Sequence, residues 1–196
     1  MQRKDKANLT KQKLFDSAVR LFKEHGYNNV TVSEICKNAG VAKGTFYVHY
    51  VSKEDIIKES YYCDMGDYVL NKYEELIKDK KLSVKEKIEK FLLCEIMFTT
   101  YAGYEMTCLA FVTNLSECIA KNSHHFERRE FSKVLKELIN EAKDKGDLLS
   151  KDNCDEIFLY VESFIRGFMA SWCFANVQFD IVEKGKKYIK RFVDNL

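Results

Sequence analysis

No proline occurs in this chain of 196 residues, and it contains only eight glycines. Proline breaks helix interiors and glycine weakens them, so their scarcity leaves long stretches free to form helices. Through most of the sequence, apolar side chains recur at the spacing of a helix with one buried face. The chain is therefore predicted to be all-α, with about nine helices.

Charge and cysteine patterns narrow the class of protein. Residues 1–60 carry 11 Lys or Arg against 7 Asp or Glu, whereas residues 61–196 carry 21 against 23. The N-terminal part therefore has a net positive charge, which favours binding to a polyanion such as a nucleic acid. The seven cysteines form no CxxC pair, which is typical of reduced thiols. Neither a secretory signal nor a membrane-spanning apolar stretch is recognisable, so we expect a cytoplasmic protein with no membrane partner.

Residues 31–55 have the pattern of two short helices joined by a tight turn. Thr31 followed by Glu34 is a capping box that begins a helix, and Gly40 supplies a turn in which positive φ is cheap only for glycine. The next helix is predicted over residues 42–49. Two helices in this arrangement form a helix-turn-helix, whose second helix enters the major groove of DNA.

The side chains of this segment divide into packing and contact groups. Ile35, Cys36 and Phe46 are predicted to face inward and pack the helix pair. The outward groups and the helix starts can donate hydrogen bonds to phosphates or base edges. The predicted DNA contacts are Thr31, Ala42, Lys43, Thr45, Tyr47, His49 and Lys53. Alternatively, the helix pair binds no DNA and His49 is a packing residue.

The string AGVAKGTFYVHYVSKEDI resembles the signature of the TetR family of bacterial repressors, which is usually close to AGVSKGTLYYHFKSKEEL. The resemblance extends from residue 10 to about residue 59, with Cys36 in place of alanine, Phe46 in place of leucine and Val51 in place of a basic residue. It implies a homodimer of nine-helix chains. The first three helices would bind a double-stranded DNA operator, and the others would bind an effector and dimerise.

On this basis we expect a helix-turn-helix DNA-binding domain over residues 1–50 and an effector-binding and dimerisation domain over residues 51–196. The protein is expected to repress transcription from a pseudo-palindromic operator until a small molecule releases it. No cofactor or metal is expected. An enzyme is disfavoured because the sequence has no GxSxG, HExxH, phosphate-binding glycine loop or dinucleotide fingerprint.

Residues 84–175 are rich in aromatic side chains that can line an apolar cavity. The predicted lining residues are Phe91, Glu95, Phe98, Tyr101, Phe111, Tyr160, Phe164 and Trp172. The effector is expected to be apolar or aromatic, and any inward-facing member of Glu95, Glu105, Glu117 and Glu162 would favour a cationic one. The alternative is that the aromatic side chains fill a solid core and the glutamates face water.

The last two predicted helices carry apolar stripes suited to self-association. The predicted dimer-interface residues are Phe164, Gly167, Phe168, Ser171, Ile189, Phe192 and Val193. Two such helices from each subunit would form a four-helix interface. The alternative is that they only cover the core of their own chain.

A second functional hypothesis keeps the DNA-binding helices but replaces the organic effector with a redox or metal signal. The candidate sensor residues are Cys63, Cys94, Cys108 and Cys118, with His124 and His125 as additional metal ligands. Adjacent helical residues point about 100° apart, so the two histidines are poorly arranged to share one metal ion.

Overall fold

The computed structural model describes residues 3–78, 80–120 and 130–196, and within these ranges it contains nine α-helices and no strand. The all-α prediction is therefore confirmed. A short 3-10 turn, Tyr27–Asn29, follows the first helix. The helices are α1 (Arg3–His25), α2 (Val32–Ala39), α3 (Lys43–His49), α4 (Lys53–Ile77), α5 (Val84–Ala102), α6 (Tyr104–Ile119), α7 (Glu130–Asp144), α8 (Cys154–Phe174) and α9 (Ile181–Asp194).

Thr10 and Asp152 have side chains typical of helix N-caps and are predicted from the sequence to begin the first helix and α8, but neither does so. Thr10 does not begin α1: its hydroxyl donates to the carbonyl of Lys6 at 2.9 Å, as a hydroxyl inside a helix does. Asn153 rather than Asp152 caps α8, because Asn153 Oδ1 accepts from the backbone N–H of Glu156 at 3.0 Å.

The buried side chains form two separate hydrophobic cores. The first joins α1, α2, α3 and the start of α4, and it ends at Ile57. The second begins at Tyr61, one turn further along α4, and extends to Leu196. We call the two parts the head and the body. The proposed domain boundary at residue 50 precedes α4, whereas the cores change within α4, so this helix is shared by both parts.

The body is built around α5, which packs against α4, α7 and α9. The approach of α9 depends on Gly185, because a Cβ at this position would lie 3.0 Å from Cδ1 of Ile96 on α5. This distance is closer than ordinary van der Waals contact, so a larger residue would require the Ile96 side chain to shift.

Among the described residues, α8 alone is long and apolar enough to cross a membrane by length and composition. Within this helix, 44% of the most apolar stretch is buried inside the protein. Since core helices pass the same test, the length of α8 gives no support to a membrane partner.

Candidate functional site

The head has the geometry of a helix-turn-helix. Gly40 ends α2 in the left-handed conformation, with φ 69° and ψ 35°. The next residue closes the turn, because the backbone N–H of Val41 donates to the carbonyl of Cys36 at 3.0 Å. Ile35, Cys36 and Phe46 are buried between the helices, which confirms their predicted packing role.

The outer face of α3 is exposed and chemically suited to DNA. Lys43 is exposed, and Tyr47 keeps 54% of its surface accessible. Ala42, at the N-cap, is also exposed, whereas Thr45 and His49 are half-buried. Val48, which was not among the predicted contacts, is 78% exposed beside Tyr47. An exposed apolar side chain on such a helix can contact the methyl group of thymine.

Thr31 holds the start of α2 through a reciprocal capping box. Its Oγ1 accepts from the backbone N–H of Glu34 at 3.2 Å, and Glu34 Oε2 accepts from the backbone N–H of Thr31 at 2.7 Å. The pKa of the Glu34 carboxyl is lowered by the hydrogen bond from the Thr31 backbone N–H and by a second one from the Thr31 hydroxyl to Oε2 at 2.8 Å. The capping box fixes the direction of the helix, while a phosphate contact by Thr31 stays a prediction.

Lys53 has a structural role that its place in the motif does not indicate. Its ammonium group donates to the carbonyls of Tyr27 at 2.8 Å and Val30 at 2.9 Å, and it lies 3.9 Å from the centre of the Tyr27 ring. The Tyr27 hydroxyl in turn donates to Glu54. Lys53 therefore ties the start of α4 to the segment that joins α1 and α2.

Replacing Lys53 with alanine is expected to lower the free energy of unfolding by about 2 kcal/mol, since hydrogen bonds to charged groups are worth about 1.5–3 kcal/mol. Urea denaturation of Lys53→Ala measures this loss, and Lys23→Ala, on the exposed face of α1, is the control. If Lys53 served only as a phosphate contact, stability would be unchanged and the slope of the salt dependence of operator binding would fall by about 1 for each subunit bound.

Two glutamates on α6 join the head to the body. Glu105 Oε2 accepts from the backbone N–H of Tyr27 and its Oε1 from Asn28 Nδ2, both at 3.3 Å. Glu117 pairs with Lys58 on α4 at 2.6 Å. Neither residue lines the interior cavity, so both are removed from the candidates for a polar group facing the effector.

A cavity that is partly open to the surface lies between four helices of the body, and we call it the interior cavity. The volume of this cavity is about 30 Å³, which is enough for about one water molecule. Of the predicted lining residues, Glu95 and Phe111 are present. Among the described residues, the lining is Tyr61 and Met65 on α4, Glu95 on α5, Ala110, Phe111 and Asn114 on α6, and Glu162, Arg166 and Met169 on α8.

The remaining predicted lining residues lie elsewhere. Phe91, Phe98 and Trp172 are buried in solid core, where each packs against another aromatic ring. Tyr101 is exposed and stacks on Tyr68 at the edge of a surface groove. Tyr160 and Phe164 lie on the outer side of α8 and pack against Phe192. These six residues do not line the cavity seen here, because apolar periodicity does not reveal which neighbour covers a helix face. Their contact with an effector stays a prediction.

An apolar surface runs along the outer sides of α8 and α9, and we call it the aromatic face. Phe164 stacks on Phe192 with ring centroids 4.1 Å apart, and Phe168 lies beside them. Gly167 and Ser171 are exposed on the same side. Phe174, at the end of α8, is 88% exposed. The predicted interface residues on this face are therefore accessible to a partner.

Two predicted interface residues are not accessible. Ile189 and Val193, on α9, are buried in the core of the body. The periodicity of α9 correctly indicates an apolar side, but that side packs against the protein's own α5. Both residues are therefore removed from the proposed interface.

The structure gives the redox and metal hypothesis little support. Burial raises the pKa of Cys94 to about 12, which disfavours the reactive thiolate. Three of the candidate ligands lie outside the part of the chain that the structure describes: the side chain of Cys63, and residues His124 and His125. Within the described part of the chain, no group of three His, Cys, Asp or Glu side chains is placed to hold a metal ion.

A helix-turn-helix head with an exposed reading helix, fused to a helical body with an interior cavity, defines a DNA-binding regulator with a sensory domain. Residues 14–59 match the family described as bacterial regulatory proteins, tetR family. Residues 14–59 therefore form a DNA-binding domain of this family.

Individual relatives agree with this assignment. The chain is 35% identical to the fatty acid metabolism regulator protein of Bacillus subtilis over 65% of its own length, and the match spans 61% of that protein. It is 27% identical to the transcriptional regulator AcrR of Shigella flexneri over 95% of its length and 88% of AcrR. The TetR-family repressor FadR of Thermus thermophilus, solved with lauroyl-CoA, shares the fold with a TM-score of 0.73 and 17% identity, over 93% of this chain and 92% of FadR.

Proposed function

We propose that the protein represses transcription in the cytoplasm by binding a pseudo-palindromic operator as a homodimer, and that a small molecule bound in the body releases it. The observation that carries the proposal is the exposed face of α3. The side chains of Lys43, Tyr47 and Val48 project from this face, while the rest of the head packs around a buried core. A protruding helix with a cation, a phenol and an apolar side chain can contact phosphates and base edges together.

The aromatic face supports the dimer. Monomeric proteins rarely expose contiguous apolar patches of this kind, and Phe174 would gain most of its burial from a partner. A second copy is the natural partner because a two-fold axis pairs the same surface with itself. It would also place two reading helices on two related half-sites, separated by about one helical turn of DNA or a multiple of it.

Helix α6 provides the connection between effector and DNA. Phe111 and Asn114 on this helix line the cavity, while Glu105, near its start, holds the segment between α1 and α2. With space for about one water molecule, the cavity is too small for a typical ligand, which needs about 300 Å³ or more. Effector binding therefore requires the body helices to move, and movement of α6 would change the position of the head.

Such a ligand binds the arrangement in which the body helices have moved, which we call open, more tightly than the arrangement described above. It shifts the equilibrium only as far as its affinities for the two arrangements differ. An effector that binds the open state about 100-fold more tightly would supply about 2.7 kcal/mol toward release. This amount is enough to empty most of the operator when the repressor concentration lies near the dissociation constant of the complex.

A reporter assay tests the proposed function. An operator selected in vitro is inserted upstream of a reporter gene, and the protein is expressed in the same cells. We expect the reporter signal to fall, and to recover when the head carries Lys43→Ala. An increase in the signal would show an activator, and no change would contradict operator binding in the cell.

The relatives suggest the first effector to test for release. The Thermus thermophilus repressor was solved with lauroyl-CoA, and the Bacillus subtilis relative is named for fatty acid metabolism. Lauroyl-CoA is therefore the reference compound in a gel-shift assay with the selected operator. Release of the operator by lauroyl-CoA would extend the effector class of these relatives to this chain.

A further inference from the structure

The interior cavity carries more negative charge than an apolar ligand would require. Glu95 on α5 and Glu162 on α8 both line it, and each is only 2% exposed. Buried carboxylates are costly unless charged or hydrogen-bonding partners surround them. Arg166 is the only Lys or Arg among the described lining residues, so their formal charge is −1.

The geometry of the Glu162–Arg166 pair leaves one carboxylate oxygen open. Arg166 Nε and Nη2 both donate to Glu162 Oε2, at 2.7 and 2.6 Å. Glu162 Oε1 is buried and has no hydrogen-bond partner among the described residues. A parallel two-oxygen arrangement would have satisfied both oxygens. The arrangement seen instead provides a buried acceptor in the cavity wall.

We propose that this cavity is a binding site for an organic cation, namely a protonated amine carried on an apolar body. The proposal deepens the function proposed above, because it takes the cavity as the effector site. The ammonium group would donate to Glu162 Oε1 and balance the formal charge of the lining. A hydrocarbon chain in the same place would leave this acceptor buried without a donor, which disfavours an acyl chain.

The other walls fit the apolar part of such a ligand. Tyr61 and Phe111 offer aromatic rings, and Met65 and Met169 offer flexible thioethers. Aromatic faces attract cations, and methionine side chains adapt to ligands of irregular shape. Since the cavity holds about one water molecule, an amine with an aromatic body would enter by displacing these adaptable side chains together with α6.

Isothermal titration calorimetry with three matched compounds tests the proposal: 4-phenylbutylamine, 4-phenylbutanol and 4-phenylbutanoate. They share the apolar body and differ only in the head group. We expect the amine to bind the wild-type protein at least tenfold more tightly than the alcohol, and the carboxylate to bind most weakly. Equal binding of amine and alcohol, or tighter binding of the carboxylate, would overturn the proposal without any variant.

Variants then locate the site. In Glu162→Gln, and separately in Glu95→Gln, we expect the preference for the amine over the alcohol to fall about tenfold, while Glu137→Gln, on the exposed side of α7, retains it. An unchanged preference in both folded variants, verified by circular dichroism, would overturn the assignment. Calorimetry uses no DNA, so this outcome is independent of operator binding. Titration of lauroyl-CoA against the same variants separates the two ligand classes, because loss of the carboxylate charge should not weaken an anionic ligand.

Discussion

Replacing Tyr47 or Lys43 with alanine is expected to abolish specific operator binding while the protein stays folded and dimeric. Each contact to a base edge or phosphate contributes about 1–3 kcal/mol, and a dimer loses two copies of it. The loss is therefore about 2–6 kcal/mol, or roughly 30-fold to 20,000-fold in affinity. Neither side chain is part of the buried core of the head, so the fold does not depend on them.

Gel-shift titration measures this loss, with circular dichroism and sedimentation as checks on fold and assembly. The matched controls are Tyr101→Ala, a similarly exposed tyrosine on α5, and Lys186→Ala, an exposed lysine on α9. Both controls should bind the operator as the wild type does. Full affinity in both Tyr47→Ala and Lys43→Ala would contradict the assignment of α3 as the reading helix.

Replacing Gly167 with lysine is expected to separate the dimer into 23.0 kDa chains and to reduce operator affinity by more than about 100-fold, since one head provides only half of the contacts. In the single chain, a Cβ at Gly167 meets nothing within 4 Å, so the substitution does not disturb the body. It should even favour α8, because glycine lowers helix stability by about 0.5–1 kcal/mol relative to alanine. Any loss of dimer formation would therefore come from contact between the new side chain and the partner subunit.

The same change at Gly66, a helical glycine on α4 that also has open space beside it, serves as the control. Gly66→Lys should remain a dimer in analytical ultracentrifugation and should retain its operator. A dimeric Gly167→Lys with wild-type affinity would show that the chains associate through a surface other than the aromatic face.

The head was predictable because its determinants are local in sequence. The capping box at Thr31, the turn at Gly40 and the inward position of Phe46 are all set by neighbours a few residues away. Lys53 was the exception. Its place at the start of α4 suggested a phosphate contact, but its carbonyl partners lie more than 20 residues earlier in the chain, where no local pattern indicates them.

The body was predictable as a set of helices but not as a site. Apolar spacing gives each helix a buried side, yet whether that side meets the core, a cavity or a second chain depends on packing between distant segments. For this reason the sequence alone did not show that Tyr160 lies on the outer side of α8 or that Val193 is buried in the core of the body. One signal was available in the sequence: Arg166 follows Glu162 by four residues, which is the spacing of an ion pair on one helix face.

Selection of bound DNA from a random pool, using the wild-type protein, tests the central claim most directly. A dimeric helix-turn-helix regulator should enrich an inverted repeat whose half-sites are centred about one helical turn apart, or a multiple of it. The same selection with the Gly167→Lys variant should enrich no inverted repeat. Enrichment of no sequence by the wild-type protein, or of a single unrepeated half-site, would contradict a dimeric DNA-binding regulator.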